Sequence, residues 1–198
     1  MTSSIADEKR ALRTQVRALR AAGRGRGSAH TDSLISLVRE VAASRGAPVT
    51  RVTSFVSIGD EPSTAGFNGW AVAQGIEVLL PRVRPDGQMG WGVLTAAADG
   101  GLAPGAFGIP EPVGDLLPST APQDTDLMLI PAACVDERGN RLGWGRGFFD
   151  RCLAGLTMPP PVFAVVFDDE VFDAVPVEPH DAPIAGAVTD RRVLRFER

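Results

Sequence analysis

Apolar residues recur along the chain in two patterns. In residues 5–22, IADEKRALRTQVRALRAA, the apolar positions Ile5, Leu12, Val16 and Leu19 return at helical spacing, with Asp7 and Glu8 near the start and arginines later, as a helix dipole favours. The pattern predicts an amphipathic helix whose polar face, Lys9, Arg10, Arg13, Arg17 and Arg20, meets solvent. Leu34, Leu37, Val38 and Val41 form the stripe of a second helix. Elsewhere the apolar runs are short and continuous: VTSFVSI at 52–58, IEVLLP at 76–81, DLMLIP at 126–131 and PPPVFAVVF at 159–167. Such runs lack the alternation of a half-exposed strand, as expected where helices cover both faces of a parallel sheet. Residues 64–74 read as a helix and 88–94 as an added strand or hairpin arm. GIPEP at 108–112 reads as a rigid turn with a structural role, 187–189 as the last central strand and 192–196 as a short terminal one. Strands alternating with helices predict a single α/β domain over 1–198, with three α/β/α layers around a largely parallel sheet. Periodicity leaves the strand order open.

Composition narrows the classes of function. A formal net charge of -4 argues against a nucleic-acid partner, since such proteins usually carry a net basic charge. Cys134 and Cys152 form no CxxC pair, and His30 and His180 are the only histidines, too few for a histidine metal centre. The N-terminal MTSSIADEKRALR has no apolar core of a secretion signal, and no run approaches the length of a membrane span. A monomeric cytoplasmic protein with no membrane partner is therefore expected.

The chemistry concentrates between residues 126 and 151. After the apolar run, Gly139, Gly143, Gly145 and Gly147 fall among Arg138, Arg141 and Arg146, before Phe148 and Phe149 open a helix carrying Leu153 and Leu156. Glycine lets backbone amides approach an anion, guanidinium groups neutralise it, and the first turn of a helix has unpaired N–H groups. Asp150 would repel a phosphate unless a divalent cation lay between them, and magnesium is commonly held by one or two carboxylates plus substrate phosphates. GxxxxGK[ST] is absent, and GxGxxG fails because Phe148 occupies the place of the third glycine. A Gly-rich surface loop with a dipole-stabilising Asp150 is the alternative reading. GRGRG at 23–27 reads as a helix-ending loop. Glu61 follows the first strand, at the edge where open α/β sheets place ligands, and Arg82 and Arg84 follow the second. The acids Asp168, Asp169 and Glu170 read as the first turn of a helix, with a metal site as the other possibility.

RLGWGRGFFDR at 141–151 resembles the RxGxGxGYYDR signature of the 5-formyltetrahydrofolate cyclo-ligases, also called 5,10-methenyltetrahydrofolate synthetases. The likeness extends to both ends of the chain. KRALR at 9–13 is similar to the family's KRxLR, EPST at 61–64 to its ExxT, and VPVEPHDAPIAGAVTD to its closing PxxxHDxxxxxxxT. Two departures stand out: the family's tyrosine pair is Phe148 and Phe149 in a chain without tyrosine, and Arg146 replaces a small residue or lysine. The resemblance implies ATP contacts along Lys9, Arg10, Ala11, Leu12 and Arg13 and along Arg141, Leu142, Gly143, Trp144, Gly145, Arg146, Gly147, Phe148 and Phe149. It implies folate contacts at Val56, Glu61, Trp144, Gly145, Arg146, Gly147 and Phe148, magnesium at Asp150 and Asp181, and catalytic roles for Arg146 and Asp150. His180 reads as a structural hydrogen-bonding neighbour.

The implied reaction joins ATP and 5-formyltetrahydrofolate to give 5,10-methenyltetrahydrofolate, ADP and phosphate, as a step of one-carbon metabolism. Phosphorylation of the formyl oxygen would activate the carbon for attack by N10, so no protein nucleophile is needed. A non-catalytic nucleotide- or pterin-binding relative on the same fold, suggested by the missing tyrosines, is the alternative. A sugar-phosphate isomerase would need a placed general base and an acyl transferase a catalytic carboxylate, and the sequence singles out neither.

Overall fold

The computed structural model describes residues 4–23, 30–84, 86–96, 101–178 and 181–196. Helices α1 (Ile5–Ala22) and α2 (His30–Arg45) precede strand β1 (Arg51–Thr53) and helix α3 (Ala65–Ala73). Strands β2 (Glu77–Val83), β3 (Met89–Val93), β4 (Leu102–Pro104), β5 (Pro110–Pro112), β6 (Leu127–Pro131), β7 (Cys134–Asp136) and β8 (Arg141–Leu142) follow. Helix α4 (Phe148–Ala154) leads to β9 (Val162–Val165), β10 (Val171–Phe172), β11 (Gly186–Val188) and β12 (Val193–Arg195). Short 3-10 turns cover Ala106–Gly108, Ala121–Asp124 and Asp168–Glu170.

Seven strands form the central sheet in the order β12-β11-β9-β6-β1-β2-β3, parallel from β11 to β2 and closed at each edge by an antiparallel strand. The continuous apolar runs are buried on both sides. In β6, Leu127 and Leu129 enter the core beneath α2 and α3, while Met128 and Ile130 enter the opposite core beneath α4. Successive strand side chains point to opposite faces, so one run serves two cores. Phe163 and Val165 of β9 join the first core and Val162 and Ala164 the second, which gives the expected layered α/β architecture.

Several boundaries differ from expectation for local reasons. The first strand pairs only over Arg51–Thr53, because beyond Ser54 the Phe55 carbonyl accepts from Thr64 Oγ1 (2.6 Å) and Asn68 Nδ2 (3.1 Å) instead of a neighbouring strand. Strand β2 continues through Pro81, which the pattern made its end, since β1 pairs no further than Leu79 and the proline needs no donor on that side. GIPEP contributes β5, which pairs with β4. The three acids at 168–170 make a 3-10 turn with Glu170 fully buried, and GRGRG lies, after Gly23, outside the described residues.

Helix α1 has the predicted bounds but a different buried face. Lys9, Val16 and Arg20 are its buried residues, at i, i+7 and i+11, with Leu12 only partly covered. The stripe is rotated by about one residue from the one that apolar letters alone suggested. The polar face of α1 is thus not wholly solvated: it faces β7, β8 and the loop that follows them.

Candidate functional site

The parallel strands β1, β2 and β6 end at one rim, and a cavity of about 630 Å³ opens there, with Val56, Pro81 and Pro131 among its lining residues. This is where open α/β sheets bind ligands. Its other walls come from α1, the 106–111 segment and the glycine-arginine loop after β8.

That loop is delivered by a small sheet of β10, β7 and β8, whose two- and three-residue strands carried too little periodicity to be read from sequence. Asp136 fixes the hairpin. Its buried carboxylate accepts from Arg138 N (3.0 Å), Asn140 N (2.9 Å), Asn140 Nδ2 (2.8 Å) and Val175 N (3.0 Å). Gly145 has φ +94 and lies beneath the Arg13 guanidinium, while Gly147 has φ +65 and would set a Cβ 2.9 Å from Arg151 Nη1. A side chain at either would strain the loop. Leu142 is core, whereas Gly143, Trp144, Arg146, Gly147, Phe148 and Phe149 all line the cavity. Asp150, in the first turn of α4, also lines it and pairs with buried Arg141, whose Nε has no partner and whose side chain borders the cavity.

The cations of α1 divide by partner. Lys9 Nζ contacts Glu178 Oε2 (2.7 Å) and Asp181 Oδ2 (2.6 Å), away from the cavity wall. Arg10 is exposed and pairs with Asp7, Ala11 is exposed, and Leu12 packs against β7 and β8. Arg13 Nε donates to Gly143 O at 2.8 Å, so of the 9–13 segment it is the residue that meets the glycine loop. Arg17 and Arg20, which the motif did not include, reach the cavity and flank the Trp144 ring at 5.3 Å and 4.9 Å. Arg20 is held by Glu170 through Nε (2.6 Å) and Nη2 (2.9 Å) and donates to Ala132 O, just beyond β6. A bidentate guanidinium–carboxylate contact fixes geometry as well as charge.

Glu61, which follows β1, and Val56, named only by the resemblance, both line the cavity. Glu61 accepts from Ile58 N at 3.0 Å, and burial raises its carboxyl above the ordinary carboxylate value. Arg82 donates to Gly114 O and Arg84 to Asp86, so both turn away to local partners. Across the mouth, Arg146 stacks 3.7 Å from the centroid of Phe107, which also approaches Phe148 (6.1 Å), and Phe149 meets Trp91 edge-on. Sequence reasoning missed Phe107. Its position depends on a left-handed backbone (φ 59) that no aromatic letter advertises.

Among the described residues no group of three or more His, Cys, Asp or Glu could hold a metal. Of the carboxylates lining the cavity, Asp60, Glu61, Glu111 and Asp150, Asp150 is the one beside the glycine-arginine loop, where it could hold a magnesium ion together with phosphate oxygens. Asp181, the other expected ligand, is engaged by Lys9 and does not line the cavity, and His180 lies outside the described residues. Burial pushes the Cys134 thiol up to about 12 and Cys152 to about 11, so neither offers a thiolate near neutral pH. No described helix is long and apolar enough to cross a membrane.

The sequence profile of the 5-formyltetrahydrofolate cyclo-ligase family matches residues 5–190. A 5-formyltetrahydrofolate cyclo-ligase of Mycolicibacterium smegmatis is 36% identical over 146 residues, covering 71% of this chain and 74% of its own. The Mus musculus protein of the same name is 28% identical over 181 residues, 87% of each chain. Among solved structures, the 5,10-methenyltetrahydrofolate synthetase of Aquifex aeolicus superposes with a TM-score of 0.75 at 26% identity, across 96% of this chain and 93% of that one.

Proposed function

Because the chain belongs to the 5-formyltetrahydrofolate cyclo-ligase family, we propose that it converts 5-formyltetrahydrofolate and ATP to 5,10-methenyltetrahydrofolate, ADP and phosphate. The observation that carries this reading is the meeting, in one cavity, of the glycine-arginine loop with Glu61 and Val56. These are the two halves that a phosphoryl transfer onto a folate requires.

The N5 formyl group is an amide-like carbonyl whose oxygen leaves badly. Transfer of the γ-phosphoryl group to that oxygen turns it into a phosphate leaving group and makes the carbon electrophilic. N10 of the same folate then bonds to that carbon and gives up its proton to the departing phosphate or to solvent, as the C–O bond breaks to release phosphate. The protein supplies alignment and charge neutralisation, by amides of residues 143–147 and the guanidinium groups of Arg141 and Arg146. Arg146, stacked on Phe107, faces the phosphoryl group in this reading, and Arg141 lends its free Nε. Phe148, Phe149, Val56 and Trp144 offer apolar surface to a flat ring, and Glu61 a hydrogen-bonding group at its polar edge. Magnesium, arriving with the nucleotide, would neutralise phosphate charge, and Asp150 is the residue to hold it. Arg13 acts on ATP through the shape of the loop it buttresses. Lys9 is held by Asp181 and Glu178 and does not line the cavity.

Rivals without catalysis are separated by one assay. Purified protein is given 5-formyltetrahydrofolate and magnesium, with and without ATP, and methenyl absorbance is followed. Product that requires ATP supports the reading, and a folded protein that yields neither product nor ADP overturns it.

A further inference from the structure

Phe107 is the one non-glycine residue among those described with a positive φ (φ 59, ψ 20), and the residue is 55% exposed. Bulky residues enter this region at an energetic cost, and such a conformation persists where the surroundings over-determine it. Core burial does not supply that reason for an exposed residue. Gly108 beside it has φ 74 and Ile109 N donates to Ala106 O, so residues 106–109 form a tight turn with both central residues left-handed, and Glu111 holds the first residue of that turn.

Glu111 Oε1 accepts from two backbone amides, Ala106 N at 3.2 Å and Val83 N at 3.1 Å. Ala106 immediately precedes Phe107, and Val83 is the last residue of β2, so a single carboxylate oxygen ties the 102–112 hairpin to the central sheet. The approach is close. A Cβ at Gly105 would lie 2.3 Å from Glu111 Cγ and 2.6 Å from its Cδ, so the carboxylate arm occupies the space beside the backbone there. Ile109 N then closes the turn onto Ala106 O at 3.1 Å. With Ala106 fixed on one side and Ile109 on the other, the intervening backbone is held in the left-handed region and the ring is presented to Arg146 and Phe148 across the cavity mouth.

We propose that Glu111 is a positioning residue for the reaction. Its carboxylate sets the Ala106 amide, the Ala106 amide sets Phe107, and the Phe107 ring sets the guanidinium of Arg146 over the cavity. The proposal rests on the cyclo-ligase reading for its catalytic consequence, but its structural half is independent of any ligand. Hydrogen bonds to an ionised acceptor are the stronger kind, which suits one group holding two amides. Without it the turn is no longer anchored to β2 and the ring leaves the wall.

The test uses the full chain as wild type, Glu111→Ala, Glu111→Gln, Phe107→Ala and the Glu111→Ala/Phe107→Ala double variant, each first shown to be folded by a cooperative melt. Hydrogen exchange of the Val83 and Ala106 amides in the unliganded proteins reads the positioning directly. Both amides are expected to exchange faster in Glu111→Ala and near the wild-type rate in Glu111→Gln, whose amide oxygen still accepts. Unchanged exchange in Glu111→Ala overturns the proposal whatever the activity. For turnover, Glu111→Ala and Phe107→Ala are each expected to lower kcat/KM for 5-formyltetrahydrofolate by about 10-fold to 100-fold, as misplacement of a reacting group does. The double variant should be no worse than Phe107→Ala alone, because both act through one ring. Losses that multiply, or wild-type kcat/KM in Glu111→Ala with both amides exchanging faster, overturn it as well. A wild-type protein with no turnover sinks the cyclo-ligase reading instead, and the exchange experiment still decides the positioning.

Discussion

Lys9 Nζ lies 2.6 Å from Asp181 Oδ2, so the chain's only lysine and the aspartate assigned by resemblance to magnesium hold each other. Burial pulls the ammonium down, but hydrogen bonds to Asp181 and Glu178 outweigh it and leave Lys9 above its ordinary value. The contact ties the first turns of α1 to the segment after β10. An exposed helix lysine would contribute almost nothing to stability. Here Lys9→Ala should cost about 1 to 3 kcal/mol, less than breaking a fully buried pair, because Glu178 is partly solvated. Urea denaturation of Lys9→Ala, Asp181→Ala and the double variant checks this. The double variant should lose less than the two singles together, and strict additivity would contradict the coupling.

Asp150→Asn acts on two things at once. The carboxylate pairs with Arg141, which is buried, and it is the proposed protein ligand for magnesium. Asparagine keeps the shape and removes the charge. The variant should lose about 10²-fold or more in kcat, on the scale of removing one electrostatic stabiliser, and about 1 to 3 kcal/mol of stability from the unpaired guanidinium. Initial rates across a magnesium titration and a urea melt measure the two losses separately. Wild-type kcat with reduced stability would leave Asp150 a structural partner of Arg141.

His30 gives the fold a pH dependence. Its ring is fully buried at the start of α2, Nε2 lies 2.9 Å from Val166 O, Nδ1 has no partner, and Phe167 meets it edge-on. Burial lowers its pKa from the ordinary value of 6.5, aided by the charge of Arg20. A depressed histidine favours the neutral form in the fold, so its stability is complete above about pH 6.5 and falls as pH drops below it. The wild type should lose melting temperature faster than His30→Gln between pH 7 and pH 5. Parallel pH profiles for the two proteins would refute this origin.

The parallel sheet and α1 were legible because buried strands and long helices leave runs and stripes in the letters. The glycine-arginine loop was legible too, since its glycines and arginines are local and their chemistry is distinctive. Ion pairs across the fold were not. Arg20 meets Glu170 and Lys9 meets Asp181 from opposite ends of the chain, and a buried charge looks like a solvated one until its partner is placed. The stripe of α1 was misread for the same reason, as apolar letters mark Val16 but hide Lys9 and Arg20 beside it. Phe107 escaped because its role depends on a left-handed turn anchored by Glu111, which no aromatic letter marks.

In the proposed reaction the formyl oxygen leaves as phosphate. The most direct measurement gives the enzyme 5-formyltetrahydrofolate labelled with ¹⁸O in the formyl group, together with unlabelled magnesium-ATP in ordinary water. The released phosphate and the methenyl product are then analysed by mass spectrometry. Phosphoryl transfer to that oxygen predicts one ¹⁸O in each phosphate released, in equal amounts with ADP and 5,10-methenyltetrahydrofolate. Unlabelled phosphate, with the ¹⁸O recovered in water, would contradict the account.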